Sequence, residues 1–143
     1  NKQIIGAFRK FRTNIDYGLS SIDHAAAIAA LTGPQDNVAQ NRAAYRERRN
    51  AFCAALCKNG WNVPMTPATM FTWFPMPLPG VTSEHFCMEL LEKVGVICVP
   101  GSSFGEGGEG WLRFALIQPP ERLEEAAARI GVYLKSRSGA QRC

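Results

Sequence analysis

Apolar residues return at helical spacing from the start of the chain. Ile4, Ile5, Phe8, Phe11 and Ile15 share one side of NKQIIGAFRKFRTNI, with lysine and arginine on the other, which predicts an amphipathic helix broken by DYGLSS. An alanine-rich helix runs from Ser21 to Leu31 and ends at Gly33-Pro34. The third helix, residues 35–59, is the longest. It sets Val38, Tyr45, Phe52 and Leu56 on one face and Arg42, Arg46 and Arg49 on the opposite one, and Gly60 closes it. The arginine stripe reads either as a solvated face or as a surface for an acidic partner.

Beyond Gly60 the periodicity changes. WNV and MFTWFPM are β-rich and separated by a proline-containing turn, which predicts a hairpin whose second strand ends at Pro75. Thr82 or Ser83 caps the next helix, Glu84 sits in its first turn, Phe86, Leu90 and Val94 point inward, and Gly95 stops it. VICV is wholly apolar, as expected of a strand in the middle of a sheet. A glycine-rich turn leads to a strand over WLRFALI. Pro120 then opens a last helix with Leu123, Ala126, Ala127, Ile130 and Leu134 on one stripe, and residues 136–143 read as a polar, disordered tail. The order predicts an α/β chain of α+β type: a small antiparallel or mixed sheet with helices on one face, preceded by a long helical segment.

Composition narrows the classes of function. With 143 residues, 46% hydrophobic and 20% charged, the chain is a globular one able to bury a core without staples. A net charge of +4 is modest and its basic residues are spread from Lys2 to Arg142, which argues against nucleic acid. The five cysteines form no metal-ligand spacing and only two histidines accompany them, so no metal is expected and the thiols read as free in a reducing compartment. No apolar run approaches the roughly 20 residues of a membrane span. The expected location is cytoplasmic, without a membrane partner. The chain opens at Asn1 inside a helical pattern, and the expectation is a fragment of a longer protein.

Two features carry candidate chemistry. Gly105, Gly107 and Gly110 fit G-x-G-x-x-G, the spacing of a dinucleotide-binding turn. That turn requires a helix directly after it, whereas GWLRFALI continues as a strand and Glu106 and Glu109 put negative charge where a phosphate would lie. A glycine turn between two strands is the expectation. The second feature is the arginine within that strand. Alternation places Trp111, Arg113, Ala115 and Ile117 on one face and Leu112, Phe114 and Leu116 on the other. A guanidinium emerging from an apolar surface requires an anion. Its planar fork suits a carboxylate. Position alone leaves open whether that carboxylate belongs to a ligand or to Glu106 or Glu109.

The segments NVPMTPATMFTWFPMPLPG and EKVGVICVPGSSFGEGGEGWLRFALIQPPERLEEAAARI resemble the C-terminal small domain of class I/II aminotransferases, fold-type I enzymes that use pyridoxal 5'-phosphate. The likeness is an ordered set: a P-x-x-x-M/F-x-W strand, a helix, V-x-V-x-P-G-x-x-F-G, an L/V-R-F/I-A/S strand and an E-R-L-x-E-A helix. Upstream, FRTNIDYGLSSIDHAAAIAAL is similar to the region after the cofactor lysine in the alanine and LL-diaminopimelate aminotransferase-like branch.

The resemblance implies that residues 1–34 end the large cofactor domain and that 35–135 form the small domain. It implies that Arg113 binds the substrate α-carboxylate, that Phe104 and Gly105 border the substrate entrance, and that Tyr17, Gly18, Leu19 and Ser20 reach toward a neighbouring subunit of a homodimer. The implied partners are an amino acid and a 2-oxo acid. One departure matters: the family holds its cofactor covalently on a lysine in an S-x-S/T-K segment, and none of Lys2, Lys10, Lys58, Lys93 or Lys135 stands in that context. No catalytic residue is therefore expected in this chain. The rival expectation is an aminotransferase-like module that senses a ligand or dimerises within a regulator.

Overall fold

The computed structural model describes residues 1–15, 18 and 20–140, and the chain divides into two compact units, Asn1–Ala39 and Gln40–Cys143. The first unit holds α1 (Lys2–Ile15) and α2 (Ser21–Thr32), neither of which buries a side chain. Ser20 caps α2, its hydroxyl accepting the Ile22 N–H at 3.1 Å. The long helix α3 (Asp36–Lys58) begins in this unit and continues into the second.

The second unit is built on a three-stranded antiparallel sheet in the order β1-β3-β2. Strand β1 is Phe71–Pro75, helix α4 is Ser83–Val94, β2 is Val99–Pro100, β3 is Trp111–Ala115 and helix α5 is Pro120–Ala140. Across the sheet Trp73 pairs with Arg113, and Arg113 with Val99. Both long strands alternate as the sequence predicts: Thr72, Phe74, Leu112 and Phe114 are buried, while Phe71, Trp73, Trp111 and Arg113 are half-buried. The buried face meets Phe52 and Leu56 of α3, Phe86 and Leu90 of α4, and Ile130 and Tyr133 of α5 in one core. Among the described residues no helix is long and apolar enough to cross a membrane.

Two expected strands are replaced. Trp61 belongs to no hairpin. Gly60 (φ 93°) ends α3 in the left-handed region, its N–H bonds the Cys57 carbonyl and the Trp61 N–H bonds the Leu56 carbonyl at 3.0 Å. This is a Schellman ending, in which the residue after the glycine folds back onto the helix. It turns the indole into the core, edge-on to Phe74, Phe86 and Phe114, with Nε1 donating to the Pro75 carbonyl at 3.2 Å. VICV, expected mid-sheet, pairs only from Val99 and lies at an edge. The Val96 N–H is taken by the Leu90 carbonyl at 3.1 Å, and Ile97 is 77% exposed. The tail expected from residue 136 is helical through Ala140, because Ser136 donates to the Tyr133 carbonyl and Arg137 reaches Glu89 at 3.4 Å.

Glu89 ties α4 to α5. The Lys93 ammonium and the Tyr133 hydroxyl both donate to it and hold its carboxyl down at about 2. Its ionised form therefore supports the fold above the ordinary carboxylate range, and that support is lost as pH falls toward 2. Thr72 is the opposite case: it is fully buried on β1, and its Oγ1 has no hydrogen-bond partner. An unmade bond of this kind is destabilising. Thr72→Val in the full-length protein is expected to raise stability by about 1 kcal/mol, read as a higher thermal midpoint. A lower midpoint would mean that the hydroxyl is satisfied in solution.

Candidate functional site

The outer face of the sheet is where the strand pattern sends its half-buried residues, and it is strongly aromatic. Trp73 of β1 stacks on Trp111 of β3 with ring centroids 6.1 Å apart and planes 12° from parallel, and its other edge meets Phe104 at 5.5 Å. Arg113 rises from the middle strand between two rings. Its Cζ lies 4.4 Å from the centroid of Phe71 and 4.6 Å from that of Phe104. Such contacts attract the cation through the ring faces while leaving its N–H edge free to donate.

Neither glutamate of the turn neutralises it. Both carboxylate oxygens of Glu109 are engaged by Ser83, whose backbone N–H donates at 2.7 Å and whose hydroxyl donates at 2.9 Å. Those bonds hold the Glu109 carboxyl below its ordinary value and cap α4. Glu106 is exposed. Among the described residues no carboxylate forms an ion pair with Arg113. The internal salt bridge that position alone left open is absent from this set.

The glycine turn that places Phe104 consists of two short 3-10 turns, Gly101–Phe104 and Glu106–Gly108, joining antiparallel β2 and β3. The strand-turn-strand reading holds, and no helix opens on the glycines. Gly101 and Gly108 pack backbone to backbone, so that a Cβ on Gly101 would lie 1.9 Å from the Gly108 carbonyl oxygen. Gly105, at φ 111°, sets the bend directly after Phe104. These glycines serve the close packing of the turn.

Of the residues singled out in the sequence, Arg113 and Phe104 are in contact and Gly105 adjoins them. Gly18 and Ser20 lie in the first unit, and Tyr17 and Leu19 lie outside the described residues. Phe71, Trp73 and Trp111 complete the aromatic face. Sequence reasoning placed Trp111 beside Arg113 but missed Phe71 and Trp73, although their alternation with Thr72 and Phe74 carries the signal. A separate cleft of about 480 Å³, lined by Val96, Ile97, Ile117, Leu123 and Arg129 among others, includes none of these residues.

The described residues contain no cluster able to hold a metal. They also do not fit a pyridine cofactor by themselves. In the second unit Lys58 ends α3, Lys93 pairs with Glu89 and Lys135 lies on α5, so none belongs to the aromatic face. At the start of α4 the Ser83 and His85 N–H groups are already bonded to Glu109 and Thr82, which closes that helix end to a phosphate.

Residues 1–130 match the family Aminotransferase class I and II. An LL-diaminopimelate aminotransferase of Dehalococcoides mccartyi is 41% identical over 93% of this chain and 34% of its own length. An L-glutamine–4-(methylsulfanyl)-2-oxobutanoate aminotransferase of Bacillus subtilis is 40% identical over 92% of this chain and 33% of its length. In structure, an aminotransferase from Staphylococcus aureus superposes with a TM-score of 0.81 at 30% identity, covering 92% of this chain and 35% of the other. The chain thus spans about a third of the length of the relatives it matches. Together with the antiparallel sheet and its flanking helices, these matches mean that the chain belongs to the class I and II aminotransferases.

Proposed function

We propose that the protein carrying this chain transfers an amino group between an amino acid and a 2-oxo acid with pyridoxal 5'-phosphate, and that Arg113 anchors the α-carboxylate of both substrates. The observation that carries this reading is a guanidinium set in an aromatic face with no carboxylate partner among the described residues. Amino acid and oxo acid differ at the reacting carbon but share the neighbouring carboxylate, so one fork serves both halves of the exchange. When bound, the cofactor supplies the electron sink for that chemistry.

The roles of this chain's residues follow from their places. Arg113 binds and orients the carboxylate. Phe71 and Phe104 keep its guanidinium between two rings and thin out the water around it, which strengthens the ion pair. Gly105 lets the backbone turn closely beside the ligand. The lysine that holds the cofactor lies outside this chain in this reading, so the chain alone is inactive. The homodimer, with the Tyr17 to Ser20 loop directed at the neighbouring subunit, belongs to the same proposal.

The test is visible absorption. The full-length protein mixed with pyridoxal 5'-phosphate is expected to develop the band of lysine-bound cofactor and to lose it when an amino donor is added. Glutamine and LL-diaminopimelate, the donors in the relatives' names, come first. A full-length protein that binds no cofactor would overturn the transferase reading in favour of a ligand-sensing module.

A further inference from the structure

Cys87 and Cys98 meet sulfur to sulfur at 3.2 Å. Cys87 is a buried residue of α4, one turn beyond Ser83, and Cys98 is half-buried just ahead of β2. Gly95, in the left-handed region at φ 65°, ends α4 and returns the chain past the helix, which brings the two side chains together. Packing does not require thiols here, since any small apolar side chain would fill either place. Among the described residues, Cys53 and Cys57 share a helix face yet make no comparable contact.

We propose that Cys87 and Cys98 form a reversible dithiol–disulfide site oxidised by hydroperoxides. The two sulfurs have different characters. Either S–H can donate across the contact; with Cys98 as the donor, the bond draws the Cys87 thiol below its ordinary value, while that same bond and burial push Cys98 up. In that arrangement Cys87 is the sulfur that attacks and Cys98 the partner that keeps its proton. The Cys87 sulfur attacks a peroxide oxygen, the O–O bond breaks, and Cys87 becomes a sulfenic acid as the departing hydroxide takes up the thiol proton to give water. The Cys98 sulfur then attacks the Cys87 sulfur, the S–O bond breaks, and the released hydroxide leaves with the Cys98 proton as a second water. In sum, two thiols and one hydrogen peroxide give one disulfide and two waters, with two electrons passing from sulfur to oxygen. A small oxidant suits the site because Cys87 is only 8% exposed.

The bond would join α4 to the residue before Val99, which lies beside Arg113 in the sheet. The experiment is peptide mapping of the full-length protein after stoichiometric hydrogen peroxide, thiol alkylation and tryptic digestion without reductant. Lys93 separates the two cysteines, so their disulfide joins peptides 59–93 and 94–113, whereas Cys53 and Cys57 share peptide 50–58. The expected result is loss of alkylation at Cys87 and Cys98 together, before loss at exposed Cys57, with the joined peptide appearing and vanishing on addition of dithiothreitol. Cys98→Ser is expected to leave a sulfenic acid at Cys87 that a dimedone probe captures. Cys87 and Cys98 still fully alkylated after Cys57 has oxidised, or each bonded to other cysteines, would overturn the proposal.

Discussion

Arg113→Lys in the full-length protein is expected to raise KM about tenfold or more for the amino acid and the oxo acid alike, since a hydrogen bond to a charged group contributes roughly 1.5–3 kcal/mol. The lysine keeps the charge and its attraction to the Phe71 and Phe104 rings, so the sheet is expected to remain intact. What it loses is the planar fork: a point charge replaces two parallel N–H donors. Because the α-carboxylate is common to both substrates, the loss appears in both half-reactions. Steady-state kinetics with each substrate varied in turn reads it directly. Unchanged KM for both refutes the anchor, and a rise confined to one substrate would assign Arg113 to that substrate's side chain instead.

The second large effect is on stability. Trp61→Ala is expected to destabilise the full-length protein by about 3–5 kcal/mol, seen as a lower denaturation midpoint for this region. The indole is 3% exposed, lies edge-on to three aromatic rings from two strands and α4, and donates to Pro75 at the end of β1. Truncation therefore opens a cavity at the point where α3, α4 and the sheet converge, and it also leaves the half-buried Pro75 carbonyl without its donor. Trp61→Phe keeps most of the volume and is expected to recover more than half of the loss. A change below about 1 kcal/mol on truncation would mean that the core closes around the gap.

The helices were legible because their signals are local. Thr82 accepts the His85 N–H as a cap should, Gly95 adopts the left-handed region, and the stripe from Leu123 to Leu134 faces the core. Alternation in WLRFA correctly set Arg113 opposite Leu112 and Phe114. The strand expectations failed where a backbone donor had already been used. WNV has the composition of a strand, yet the Trp61 N–H belongs to the end of α3; VICV has it too, yet the Val96 N–H belongs to the end of α4. Composition does not reveal which helix carbonyl captures a neighbouring amide. Phe104 was singled out through the family resemblance and alternation marks the face of Phe71, but the packing of both rings on Arg113 was not legible, for a different reason. They come from separate segments, and only the register of Trp73, Arg113 and Val99 brings them to one face.

That register also bears on how the chain finds its fold. A slip of one residue along β3 would exchange its two faces, driving the Arg113 guanidinium into the core beside Phe52 and Phe74 and stranding Leu112 outside. An unpaired buried charge is penalised by several kcal/mol, whereas an apolar residue at position 113 would leave the two alignments much closer in energy. The side chain proposed to greet a ligand thus also separates the native register in energy from its misaligned neighbour, before any ligand is present.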